Sequence, residues 1–74
     1  MKLKQWTVRF VDTKNNMDQS HEASTNRAMM VAENMGESMS NIIKTHLQND
    51  TLKRCRVSVY TEKGWEVCEI RRSS

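Results

Sequence analysis

Between residues 28 and 46 the chain holds one helical period: Ala28, Val31, Ala32, Met35, Met39, Ile42, Ile43 and His46 recur at steps of three and four and form one stripe on a helix. A stripe of this kind has to be buried against something, and the segments flanking it alternate instead. In "LKQWTVRFVD", Trp6, Val8 and Phe10 fall on one side and Gln5, Thr7 and Arg9 on the other, the period of a half-buried strand. A switch from period two to 3.6 and back leaves few solutions besides a helix laid on a sheet.

The helix has a readable start. Ser24 is placed as N-cap, its hydroxyl free to accept from an orphan amide of the first turn, and Ala23 and Ala28 stand where a hydrophobic staple would. Met29 and Leu47 border the stripe, while Glu33, Glu37 and Lys44 lie opposite it with Met30 on the polar side. "QND" breaks the pattern near Gln48, so one long helix is predicted over 25–48. Gly36 falls inside it at a cost of about 1 kcal/mol relative to Ala, which close approach of a Trp ring would explain.

Two hairpins complete the chain. "TKNN" joins strands at 3–12 and 17–23, with Asn15-Asn16 suited to positive φ in a two-residue loop. That centre pairs Phe10 with His21, Val8 with Ala23 and Arg9 with Glu22. The closing hairpin, "VSVYTEKGWEVCEI" within strands 53–61 and 65–71, admits two registers. A three-residue loop with Gly64 alone left-handed is the cheaper one. It puts Val57, Val59, Trp65 and Val67 on the core side and Arg56, Tyr60, Cys68 and Ile70 outside. The alternative buries Val57, Val59, Cys68 and Ile70, exposes Trp65 beside Tyr60 and sets Arg56 opposite Arg71.

The predicted fold is α+β: a single ββαββ domain over 1–74, a four-stranded sheet with one long amphipathic helix packed on one face. "RFVDTKNNMDQSHEASTNRAMMVAENM" followed by "CRVSVYTEKGWEVCEI" resembles the β-grasp order of protein G domains and ubiquitin. The resemblance implies that the first and last strands are central and parallel. It transfers no functional residue.

At 74 residues the core supports only a few kcal/mol, roughly 3–5, and leaves no room for a deep, walled active site. No stretch approaches the ~20 apolar residues of a membrane span, and no signal-peptide run is present. The chain is therefore expected in the cytoplasm, its two cysteines reduced. Metal binding is not expected, because no two of His21, His46, Cys55 and Cys68 are closer than nine positions. A Cys55–Cys68 bridge fails in either register, since the two stand three or four residues out of line. With no nucleophile beside a base, neither catalysis nor a cofactor is predicted.

Net charge is +3, mildly basic, and its placement is more informative than its size. In the cheaper register Arg54, Arg56 and Arg72 share the outward face with Tyr60, Cys68 and Ile70, with Leu3 and Val11 on the neighbouring strand. Lys2, Lys4, Lys53 and Arg71 lie around the strand ends. An apolar face rimmed by Arg and Tyr is the makeup of a protein-interaction patch. Arg54, Arg56, Tyr60 and Ile70 are therefore the candidate partner-binding residues. "HEASTNRAMMVAE" entering a helix and "VSVYTEKGWEV" closing a sheet resemble small phage and mobile-element inhibitors of the anti-CRISPR kind. That resemblance implies a non-enzymatic inhibitor that occludes a larger protein or nucleoprotein complex, such as a CRISPR effector. The same face also suits weak nucleic-acid contact, and a homodimer would cover it equally.

Overall fold

The computed structural model of the chain describes residues 4–62 and 64–73, with Thr61 and Trp65 described through their backbone alone. Strands β1 (Trp6–Asp12) and β2 (Met17–Ala23) are followed by helix α1 (Thr25–Ala32), a 3-10 turn (Glu33–Met35) and helix α2 (Glu37–Gln48). Strands β3 (Arg54–Thr61) and β4 (Gly64–Arg72) close the chain. The sheet runs β2-β1-β4-β3 and every neighbouring pair is antiparallel.

The α+β class, four strands and helices on one face are as expected, but the single long helix is not. The chain breaks at Gly36, whose backbone adopts φ 91° and ψ 149°, a region few residues other than glycine enter. Among the described residues a Cβ built there would meet nothing within 4 Å, so the Trp6 ring does not press on it and the requirement lies in the backbone. The break folds α2 back along α1. The chain then re-enters the sheet at the end where β2 left it, so β3 runs parallel to β1 and β4 antiparallel to it. A straight helix would have carried the chain to the far end and produced the parallel centre of a β-grasp. Central first and last strands are found; their parallel pairing is not.

The break also turns α2 about its axis. Helix α1 and the 3-10 turn bury Ala28, Val31, Ala32 and Met35 from the expected stripe, whereas α2 buries only Ile43 from it, together with Ser40 and Leu47. Met39 and Ile42 are left 42% and 55% exposed, and His46 is exposed too. Ser24 does cap α1, its hydroxyl accepting from the Arg27 amide at 3.2 Å.

Both hairpins pair in registers other than those expected. In the first, Asp12 Oδ1 accepts from the amides of Lys14 and Asn15 at 3.1 and 3.2 Å, an Asx-type turn, and Asn16 alone takes positive φ. The loop therefore spans four residues, and Val8 faces His21 while Phe10 faces Gln19. A shift of two residues keeps every side chain on its expected face. Arg9 now meets Asp18, at 2.9 Å from Nε, rather than Glu22. In the second hairpin Thr61 pairs with Gly64, leaving Glu62 and Lys63 between them, and Val57 faces Cys68. Gly64 is left-handed as predicted, at φ 104°. The register matches neither alternative. Its parity puts Cys68 and Ile70 inside, with Ile70 fully buried, which overturns their outward placement. Whether the Trp65 ring is core or surface lies outside the described residues, as does Leu3.

Trp6 centres the core, with Val8, Ala23, Ala28, Ala32, Ile43, Leu47, Leu52 and Ile70. Its indole Nε1 donates to Thr25 Oγ1 at 3.0 Å, and the Arg72 guanidinium lies 4.7 Å from the ring centroid. Arg72 also donates to Asp50 Oδ1 at 2.7 Å and to the carbonyls of Asp50 and Leu52, tying the α2–β3 connection to β4. Arg72 is thus a structural clasp, not the outward residue expected.

Candidate binding face on the open side of the sheet

The helices cover one side of the sheet and leave the other to solvent. Alternation along β3 sends Arg54, Arg56, Ser58 and Tyr60 to this open face, and along β4 it sends Val67, Glu69 and Arg71. The register sets Arg54 directly opposite Arg71 and Arg56 opposite Glu69. Arg54 Nε donates at 2.8 Å to Oε2 of Glu69, a residue only 3% exposed. Arg56 and Arg71 are exposed and have no ion-pair partner among the described residues. Tyr60, 71% exposed, stands further along the same edge strand.

Charge changes sign across the face. The β2 edge contributes Asp18 and Glu22, and the β3 side contributes the three arginines. Arg9 and Asp18 neutralise one another: their hydrogen bond and charge attraction raise the guanidinium pKa, and the hydrogen bond lowers that of the carboxyl. Glu22 accepts from the hydroxyls of Thr7, at 3.3 Å, and Ser73. Val11 and Val67 face each other, half-buried, on the two central strands. The surplus positive charge therefore gathers on β3 and the end of β4.

Of the four residues singled out from sequence, Arg54, Arg56 and Tyr60 share this face and Ile70 does not. Arg71 takes the place expected of Arg72. One signal for it was in the sequence: Glu69 and Arg71 share a parity on β4, and grouping them with Arg54 and Arg56 selects the observed faces. The preference for a three-residue loop with Gly64 alone left-handed outvoted it.

The opposite side offers little chemistry. Cys55 and Cys68 both face the helices as free thiols, with Cys68 opposite Val57, two residues from Cys55. Burial raises both, pushing the Cys68 thiol from 9.0 up to about 11, the reverse of an activated nucleophile. Among the described residues no three of His, Cys, Asp and Glu converge as a metal site. A shallow groove of about 330 Å³ runs past Phe10, Asn34, Val59, Glu66 and Cys68. No family model matches the chain, and comparison with curated proteins and with solved structures likewise returned no match.

Proposed function

We propose that the protein is a non-enzymatic binding protein that lays the open face of β3 and β4 against an anionic surface of a larger partner and acts by occluding it. The observation that carries this reading is the pairing of Arg54 with Arg71 directly across two strands, with Arg56 two residues along and opposite the one carboxylate, Glu69, that Arg54 holds. Like charges set opposite each other are unfavourable in the free protein, and an anion laid over them relieves that cost. Guanidinium forks match carboxylates or phosphate mimics in two-point geometry, and Tyr60 adds apolar area at the rim. A nucleic-acid-handling complex of the cytoplasm, a CRISPR effector among them, is the class of partner proposed. No helix among the described residues is long and apolar enough to cross a membrane.

The test is capture of the tagged protein from bacterial lysate, with and without nuclease, at low and high salt, beside an Arg56→Ala/Arg71→Ala variant. Hydrogen bonds to charged groups contribute about 1.5–3 kcal/mol each, so the double variant should lose roughly a hundredfold or more in affinity while remaining folded. A discrete protein complex that survives nuclease and is lost with the variant supports occlusion. The same guanidiniums suit phosphate, so recovery of nucleic acid alone, released steeply by salt, replaces occlusion with direct nucleic-acid binding.

A further inference from the structure

We propose that the Glu33–Gly36 joint straightens and that two copies of this chain exchange α2, β3 and β4, forming a domain-swapped dimer about a continuous helix over 25–48. Three observations carry it. The reversal of the chain rests on one glycine at φ 91°, and short joints between packed elements are where swapping begins. The apolar period does not stop at that position: Met39, Ile42 and His46 continue the phase of Ala28, Val31, Ala32 and Met35. In the folded-back form α2 buries Ser40, Ile43 and Leu47, one residue after Met39, Ile42 and His46 and so about 100° around the helix, and of the three only Ile43 belongs to the stripe. Met39 and Ile42, apolar and in phase with α1, are left at the surface.

The halves on either side of the joint are coherent units. Trp6 and Gln5 reach Thr25 within the first, and Arg72 reaches Asp50 and Leu52 within the second. A straight helix over 25–48 is about 36 Å long and delivers β3 to the far end of the sheet, so the antiparallel β1–β4 ladder cannot then re-form within one chain. Each half takes its counterpart from the other copy. The β1–β4 ladder and the stacking of Arg72 on Trp6 re-form between chains, and only the joint differs. The straightened helices pass one another at the joint along the Met35–Met39–Ile42 stripe. Arg54, Arg56 and Arg71 all lie in the exchanged half, so the dimer presents their cluster twice and intact.

The experiment is light scattering on protein refolded at micromolar and millimolar concentration, for three chains: wild type, Gly36→Ala, and a chain with Gly-Ser-Gly inserted after Gly36. Wild type at millimolar concentration should yield a species of twice 8.7 kDa that reverts over hours on dilution, because reversal requires the β1–β4 ladder to open. Alanine disfavours positive φ and favours helix, so Gly36→Ala should dimerise at a concentration at least tenfold lower. The inserted loop relieves the joint and interrupts the helix, so that chain should stay monomeric. A folded Gly36→Ala protein that stays monomeric at millimolar concentration overturns the proposal. So does an insertion variant that dimerises like wild type, or a dimer that dissociates within seconds. Where Gly36→Ala fails to fold, wild type against the insertion variant decides on the same readout, and absence of a wild-type dimer overturns the proposal.

Discussion

Glu69 is a carboxylate removed from water on the side of the sheet that no helix covers. Arg54 brings Nε to the carboxylate at 2.8 Å, and Arg9 and Arg56 stand opposite Glu69 on the two neighbouring strands. Truncating Arg54 leaves a desolvated acceptor, so Arg54→Ala should destabilise the fold by about 1–3 kcal/mol. Adding Glu69→Gln should recover part of that loss in a double-mutant cycle read from denaturant midpoints. Arg56→Ala and Arg71→Ala, at exposed positions without such a dependant, should each stay within about 0.5 kcal/mol of wild type. Those two are therefore the substitutions that separate binding from folding. At this scale legibility followed locality. Ser24 was readable as a cap because its acceptor and the Arg27 amide are three residues apart, whereas the inward turn of Ile70 depended on a loop that ends seven residues before it.

The elements were legible as far as their period and misread where length decided. A helix over 25–48 would be about 36 Å long, while strands of seven residues reach only about 23 Å. A straight helix would therefore overhang the sheet it has to cover. Two helices of 8 and 12 residues fit, and Gly36 is where the chain can turn. That mismatch was present in the sequence, but the unbroken stripe from Ala28 to His46 hid it. The rotation of α2 is open to a direct check. Leu47→Ala should cost about 2–5 kcal/mol and Met39→Ala less than about 1 kcal/mol. A continuous stripe predicts the opposite order, and thermal or urea unfolding distinguishes the two. The hairpins repeat the lesson. The first was misregistered by two residues and kept its faces, whereas the second was one residue from the preferred register and lost them.

Across the whole molecule, stability should depend on alkaline pH through the core thiols. Burial raises Cys68 from 9.0 to about 11 in the folded protein, so the stabilisation is fully present below pH 9. It is lost as pH rises through about 11, because the unfolded chain releases its proton first. Unfolding midpoints followed from pH 8 to 11 should fall over that window. Cys68→Ala should flatten the slope, leaving the smaller part due to Cys55, whose pKa burial also raises. The antiparallel centre of the sheet acts at the same scale. It brings the first strand's beginning beside the last strand's end, and the Ser73 amide donates to the Gln5 carbonyl at 2.8 Å. The described chain is thus nearly a ring. Anything fused before Gln5 or after Ser73 leaves from the same corner, at the Arg54–Arg71 end and far from Tyr60. A short linker across that corner would fasten a contact already made, and the chain then becomes a candidate for circular permutation, reopened at the exposed 13–16 loop.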